Sequence, residues 1–287
     1  IIGLGYTGLP LLALFLKKKI KVVGIDKDKK KIIKLKKNIS YISGVPNSLL
    51  KKNFQNVTYN FQYENINSCD IIIICLPTPL KKNFKPNLDY IKETLKKITP
   101  FLKKGQTLIL ESTSYPGTTR ELIVKKLKNK FQLGKDFFIG FSSERINPGF
   151  KENSINKIPK VVSGFSENCL KVVTKTYSGI FDKIVIANSL EIAEFSKLLE
   201  NIYRAVNISF INEMKFIADK MKLDIFEILK IAESKPFGFK RFNPGPGTGG
   251  HCIPIDPEYM YWKAKKLGIK ANFIRLASKT NLKVVDF

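Results

Sequence analysis

Along the first two thirds of the chain, two hydrophobic patterns take turns. Apolar runs of strand length at residues 20–25, 70–75, 107–111 and 137–141 end in polar or turn-forming residues. Between them, apolar positions three and four apart predict helices over residues 9–18, 29–37, 88–102, 120–129 and 166–178. A looser stretch, residues 38–64, holds a short strand near Val57, and strands near Val161 and Ile184 close this part near Asn188. Such alternation predicts an α/β fold, a doubly wound parallel sheet with helices on both faces.

After Asn188 the pattern becomes helical. Residues 190–220 read as one amphipathic helix, about 45 Å long at 1.5 Å per residue. Its apolar positions Ile192, Phe195, Leu199, Ile202 and Val206 recur at helical spacing. A second stripe, Glu194, Lys197, Asn201 and Arg204, also lies along one face. That stripe is either a solvated face or a functional one, in which Lys197 and Asn201 offer a cation and an amide to a developing oxyanion. Shorter helices follow over residues 224–232 and 256–267, with a final segment from Asn272. The expected organisation is a sheet domain over residues 1–188 and an all-helical domain over residues 189–287.

The first strand runs directly into Gly3-Leu4-Gly5-Tyr6-Thr7-Gly8, ahead of the first helix, and the next strand ends in Asp26. This is the dinucleotide-binding fingerprint in its full strand–turn–helix context, which makes the sheet Rossmann-type. Gly3 permits the tight turn, Gly5 lets a pyrophosphate approach the backbone, and Gly8 lets the helix pack closely. Tyr6 and Thr7 lead into the helix N-terminus, which suits phosphate, and Asp26 suits the ribose hydroxyls. A carboxylate there disfavours a 2′-phosphate, so the cofactor expected is NAD rather than NADP, with Lys27 and Lys29 tempering that preference.

Three further loops follow strands, at the edge where ligands bind in such sheets. One is Leu76-Pro77-Thr78-Pro79. The second runs from Ser112 to Thr119 and includes Ser114, with Thr118 or Thr119 read as a helix cap. The third, Ser142 to Gly149, carries Glu144 and Arg145, which form either a local ion pair or active-site groups. Far downstream, glycines at 245, 247, 249 and 250 precede Cys252, and Pro254 and Pro257 attend the start of the next helix. A thiol just before a helix N-terminus is biased toward thiolate, so Cys252 is either a nucleophile or an incidental buried cysteine in a glycine-rich loop.

Composition narrows the classes. The 287 residues are 44% hydrophobic, enough for two cores. No apolar run approaches the roughly 18 residues of a membrane span, and no membrane partner is expected. The formal charge is +26, but of 50 basic residues only Arg120, Arg145, Arg204, Arg241 and Arg275 are arginine, and the lysines are scattered. That distribution argues against nucleic acid as a partner. Four cysteines without a CxxC pair, and His251 as the single histidine, argue against a metal site and for a reducing, cytoplasmic setting.

The motifs Gly3-Leu-Gly-Tyr-Thr-Gly-Leu-Pro10, Glu111-Ser-Thr-Ser-Tyr-Pro-Gly117, Ser143-Glu-Arg-Ile-Asn-Pro-Gly149, Lys197-Leu-Leu-Glu-Asn201 and Gly247-Thr-Gly-Gly-His-Cys-Ile-Pro-Ile-Asp256 occur here in one order. In that order the chain resembles the UDP-glucose/GDP-mannose dehydrogenase family, and most of all its UDP-N-acetylglucosamine 6-dehydrogenase branch. The resemblance implies NAD-dependent oxidation of the C6 alcohol of a UDP-sugar to the acid, with UDP-glucose and UDP-N-acetylmannosamine as alternative substrate types. It implies Cys252 as nucleophile, Lys197 and Asn201 as oxyanion stabilisers, and Asp256 as a proton-transfer group. Glu144 would serve thioester hydrolysis, and Ser114 stands where relatives often carry Thr. Pro77, Thr78 and Ser114 join the cofactor set, while Glu144, Arg145, Lys197, Asn201, Arg241 and Gly249 join the substrate set. A Cys252–His251 dyad is disfavoured. Family members pair through their central helices, which implies a homodimer, and they continue into a third, UDP-covering domain beyond Phe287. Lacking that domain, the chain is expected to be a fragment or a truncated product, and an NAD-binding module without turnover stands as the alternative from another class.

Overall fold

In the computed structural model, which describes residues 1–145, 152–247 and 253–284, seven named strands join one sheet. They are β1 (Val22–Ile25), β2 (Val57–Asn60), β3 (Ile71–Ile74), β4 (Thr107–Leu110), β5 (Phe138–Ser142), β6 (Lys160–Gly164) and β7 (Ile184–Ile186). β2 pairs with β1, while β3 to β7 lie side by side in sequence order. Ile2 joins the two groups, bridging Ile25 on one side and Ile74 on the other. β3 and β4 contain almost fully buried residues from Ile72 to Ile74 and from Leu108 to Leu110, with no alternation of apolar and polar positions. That is the signature of strands covered by helices on both faces.

Pairing is parallel throughout except at one step. β6 runs antiparallel to β5, with Ser142 opposite Val162, and β7 is then parallel to β6. The expected parallel sheet therefore holds up to β5 and reverses beyond it. An antiparallel neighbour needs no crossover helix, and the chain between β5 and β6 contains only a 3₁₀ segment, Glu152–Lys157, among its described residues.

The helices of this region are α1 (Gly8–Lys17), α2 (Lys29–Lys36), α3 (Asn47–Lys52), α4 (Asp89–Ile98), α5 (residues 118–127) and α6 (Glu167–Ser178). Every residue of α1 from Gly8 to Leu16 is buried, so the helix after the glycine loop is wedged into the core. α5 differs from its expectation in two ways. It starts at Thr118 rather than Arg120, and its centre, Arg120–Val124, is π-helical.

The chain divides into two compact units, residues 1–78 with 87–197, and residues 79–86 with those from Leu198 onward. The division falls inside α7 (Leu190–Lys220). In the second unit α7 is followed by α8 (Ile225–Glu233), α9 (Asp256–Lys266) and α10 (Asn272–Lys283). Its small core is formed by Ile211, Ala218, Ile225 and Leu229, with Met214, Phe239 and Phe242 packed against them. α10 is tied to α7 by Asn281 Nδ2 donating to the Ala205 carbonyl at 3.1 Å and Ser209 Oγ donating to that of Ala277 at 3.2 Å.

Neither stripe of α7 keeps to one side: of the apolar one, Ile202 is buried and Val206 half-buried, but its earlier members are exposed. Ile192, Phe195 and Leu199 are 54%, 47% and 54% exposed, and Tyr203, Phe210 and Ile217 continue the exposed apolar series. Glu194 and Asn201, from the polar stripe, are buried, as are Ser209 and Asn212. Lys197 is half-buried, and Arg204 is exposed. A solvated polar face is thus ruled out for Glu194 and Asn201.

Candidate functional site

The glycine loop separates what the fold requires from what a ligand requires. A Cβ on Gly3, which has φ +91°, would lie 2.4 Å from the Cys75 carbonyl oxygen, and one on Gly8 would lie 1.8 Å from that of Gly3. A Cβ on Gly5 would meet no protein atom within 4 Å. Packing alone explains the first and third glycines, while the second leaves bare backbone facing open space, as a close-approaching pyrophosphate needs. No side chain caps α1 at Thr7, while Leu9 N donates to the Gly5 carbonyl at 3.1 Å and Pro10 has no N–H to offer. Gly3 and Gly8 are buried, Gly5 and Thr7 half-buried, and Tyr6 is exposed beside them.

Asp26 follows β1 and is 8% exposed. Its Oδ2 accepts from Leu4 N and its Oδ1 from Asp28 N, both at 2.9 Å, which fixes the carboxylate against the glycine loop. Lys31 Nζ stands 3.4 Å from Oδ2. Lys27 and Lys29, the cations the sequence pointed to, instead lie over the rings of Tyr90 and Phe61. The lysine that bears on Asp26 is Lys31, in the first turn of α2. Another link is Tyr41, whose hydroxyl donates to the Leu4 carbonyl at 2.6 Å.

Beyond β3, Pro77 is exposed and Thr78 buried. Beyond β4, Ser112 Oγ accepts from Leu76 N at 2.8 Å and so joins the two strand-end loops. Ser114 is 1% exposed and its hydroxyl has no hydrogen-bond partner, a feature shared by Ser143 beyond the adjacent β5. Buried hydroxyls are normally satisfied, so an orphaned pair at the ligand edge fits groups that a bound molecule completes. Open backbone at Gly5, the uncapped α1, the fixed Asp26 and the free Ser114 hydroxyl together fit a dinucleotide.

Next to these hydroxyls lies a buried cluster. Lys160 Nζ sits 3.0 Å from Glu111 Oε1, and the same oxygen accepts from the Tyr177 hydroxyl. Burial works against the Lys160 ammonium, but the carboxylates of Glu111 and then Glu144 raise its pKa above the ordinary lysine value. Glu144 is half-buried, and Arg145 donates to the Pro159 carbonyl at 3.2 Å.

The hydroxyls of Thr118 and Thr119 do not cap α5. Thr118 Oγ1 donates to the Tyr115 carbonyl at 2.7 Å, and Thr119 Oγ1 donates to Glu194 at 2.7 Å. The cap is Glu194 itself, reaching in from α7: its carboxylate accepts from Gly117 N at 2.5 Å and Thr119 N at 2.8 Å.

In the second unit, Asn201 Nδ2 donates to Asp256 Oδ2 at 2.5 Å. Asp256 is the first residue of α9 and is 1% exposed, and Asn201 is 7% exposed. Two residues 55 apart in sequence are thereby brought into one buried pair. The loop leading toward the cysteine is anchored by Gly245 N donating to Asn212 Oδ1 at 2.9 Å. Arg241 is held within the unit by Glu233 Oε2 and Asn243 Oδ1, both at 3.0 Å. Cys252, His251 and Gly249 lie outside the described residues.

Residues 1–185 match the UDP-glucose/GDP-mannose dehydrogenase family, NAD binding domain, and residues 191–283 match the central domain of the same family. The chain belongs to that family. Protein CapL of Staphylococcus aureus is 38% identical over 98% of this chain and 66% of its own length. UDP-N-acetyl-D-glucosamine 6-dehydrogenase of Pseudomonas aeruginosa is 36% identical over the same shares. Among solved structures, the UDP-D-ManNAc dehydrogenase of Pyrococcus horikoshii superposes with a TM-score of 0.92 at 28% identity, over 99% of this chain and 68% of that one. The chain thus spans 66% of the length of the two curated relatives just named.

As a member of this family, the chain carries the NAD-binding domain that its first 185 residues match, on the Rossmann-type sheet that the glycine motif implied. Its sequence did not single out Lys31, Tyr41, Lys160 or a capping role for Glu194. For Lys31 a signal existed, since it lies on the helix after Asp26 at hydrogen-bonding reach. The others depend on contacts between distant segments. Among the described residues no helix is long and apolar enough to cross a membrane.

Proposed function

We propose that the chain provides the cofactor-binding and catalytic parts of a nucleotide-sugar dehydrogenase, which oxidises the C6 alcohol of UDP-N-acetylglucosamine to the uronic acid. Two NAD molecules, bound one after the other at the same site, would each accept one hydride. Gly3, Gly5, Tyr6, Thr7 and Gly8 hold the pyrophosphate, Asp26 the ribose, and Pro77, Thr78 and Ser114 the remaining edge. The Cys252 thiolate adds to the aldehyde carbon formed by the first oxidation. After the second oxidation the sugar is a thioester, which water cleaves to acid and free thiol. Lys197 and Asn201 stabilise the oxyanions, Asp256 takes the proton from a hydroxyl or water, and Glu144 assists hydrolysis. Arg145, Arg241 and Gly249 contact the substrate.

The observation that carries this reading is the buried pair of Asn201 and Asp256. A carboxylate held at 2.5 Å by an amide, at the first residue of a helix, is set up to exchange a proton beside a hydrogen-bond donor. The product is a precursor of a surface polysaccharide, and the setting is cytoplasmic, where NAD and nucleotide sugars are made. The oligomer is a homodimer, because the exposed series Ile192, Phe195, Leu199 suits a second copy of α7.

The test is stoichiometry. The chain is supplied with NAD and a panel of UDP-sugars, and two NADH per sugar are expected with UDP-N-acetylglucosamine. A Cys252→Ser variant loses the second oxidation. One NADH per sugar, or unchanged activity in Cys252→Ser, rejects the cysteine route. Preference for UDP-N-acetylmannosamine or UDP-glucose reassigns the sugar. NADH binding without turnover on any sugar establishes the module reading instead.

A further inference from the structure

Glu194 has no part in the reaction as proposed, yet it is the most completely engaged carboxylate on α7. It is 0% exposed. Oε2 accepts from Gly117 N at 2.5 Å, and Oε1 accepts from both the amide and the hydroxyl of Thr119, at 2.8 and 2.7 Å. These donors belong to the end of the Ser112–Gly117 loop and the first turn of α5. Glu191, one turn earlier on the same face of α7, grips the same helix through Arg120 Nε at 2.6 Å. Lys197 lies one turn later. All of these residues belong to the first compact unit.

We propose that Glu194 is a positioning residue that locks α7, with Lys197, to the loop that carries Ser114. The chemistry favours this over simple capping. A short Ser, Asp or Asn at the cap position would satisfy the α5 N-terminus locally. Here the loop supplies no such cap: Thr118 turns back to Tyr115, and Thr119 donates its hydroxyl to Glu194. Of the N–H groups at this end, that of Thr118 goes to the Tyr115 carbonyl at 3.1 Å, while those of Gly117 and Thr119 are completed from α7. Because the carboxylate holds three donors with two oxygens, it fixes both the distance and the rotation of α7 relative to the loop. A side chain with one acceptor oxygen cannot do so. Burial, opposed by the donors from Thr119 and Gly117, pushes the Glu194 pKa up to about 7.

This inference rests on the reading of Ser114 and Lys197 as site residues, and two measurements separate its fate from that of the reading. In the first, Glu194→Gln is compared with the native chain for NADH binding and for turnover of UDP-N-acetylglucosamine. The amide keeps the size and one acceptor oxygen but turns an NH₂ toward an N–H or O–H donor. A fall in kcat of about tenfold or more is expected, with KM for the sugar and NADH affinity changed by less than about threefold. Native values for kcat and KM would overturn the proposal. In the second, amide exchange is followed across residues 112–124 by mass spectrometry. Exchange at least about tenfold faster is expected in Glu194→Gln, with β3 and β4 unchanged. Equal exchange overturns the proposal even if the native chain shows no turnover, an outcome that would by itself reject only the proposed function.

Discussion

Two loops in the sheet unit, one before α1 and one before α5, are held in the same manner. Each is pinned by a carboxylate that accepts backbone N–H groups. Asp26 secures the glycine loop through Leu4 N, and Glu194 secures the Ser114 loop through Gly117 N and Thr119 N. They differ in reach and in company. Asp26 is 22 residues from its Leu4 donor and has Lys31 at 3.4 Å, whereas Glu194 is 75 residues from Thr119 and fully buried. The local carboxylate can work as a motif with fixed spacing. The distant one ties a loop to a helix that is made much later in the chain, so its effect is to set the relation between elements.

The largest way to break this parallel is through the glycines. Gly8→Ala puts a Cβ against backbone, so a loss of about 3 kcal/mol or more in urea unfolding is expected, together with loss of NADH binding. Gly5→Ala meets no protein atom and leaves stability within about 0.5 kcal/mol while weakening NADH binding. Unchanged NADH affinity in Gly5→Ala would show that no ligand approaches that backbone. Next in size is removal of the carboxylates. Glu194→Ala leaves buried amides without an acceptor and should cost about 2–4 kcal/mol, against about 1–2 kcal/mol for the less enclosed Asp26→Ala. A larger loss at Asp26 would invert the ranking.

Acidity gives a subtler distinction. The folded Glu194 pKa of about 7 lies above the ordinary glutamate value of 4.5, so the folded state holds the proton more tightly than the unfolded chain. The stability it contributes is full below about pH 4.5 and is lost as pH rises through about 7. The charged and titratable neighbours that bear on it are Glu191, Arg120 and the Tyr115 hydroxyl. Urea unfolding from pH 4.5 to 8 should show native stability falling relative to Glu194→Gln across that window, and parallel curves would remove the titration. The smallest effect is expected at the flanking ion pair. Arg120 and Glu191 are 48% and 34% exposed, so Glu191→Gln should cost no more than about 1 kcal/mol. A larger cost would transfer the grip on α5 from Glu194 to Glu191.

The cofactor loop was legible because its chemistry is local: strand, Gly3, Gly5, Gly8, helix and Asp26 all fall within one βαβ spacing. Asn201 stood out from its spacing with Lys197 on α7, whereas a role for Asp256 entered only through the family resemblance, and nothing in the spacing of the two says that they touch. Which members of each α7 stripe are buried was not legible, because periodicity reveals that two faces exist but not which one meets the protein. Burying Glu194 and Asn201 was possible because donors from elsewhere in the fold satisfy them. The start of α5 was misplaced for the same reason: the threonines resemble caps in sequence, but their hydroxyls are drawn to Tyr115 and Glu194. Strand direction beyond β5 was hidden too, since a short apolar run reads the same either way.

That reversal of β6 has a consequence for what the edge of the sheet can contain. In a parallel sheet every strand contributes its last residue to the ligand side, while its first residue lies at the far rim. Running β6 backwards brings a strand's opening residue, Lys160, level with the segment just past β5, as the Ser142–Val162 register requires. A fixed backbone thus delivers a cation to a place otherwise furnished by loops. Its position depends on strand register: a slip of one residue would swing Lys160 to the opposite face of the sheet and leave Glu111 buried without its ammonium.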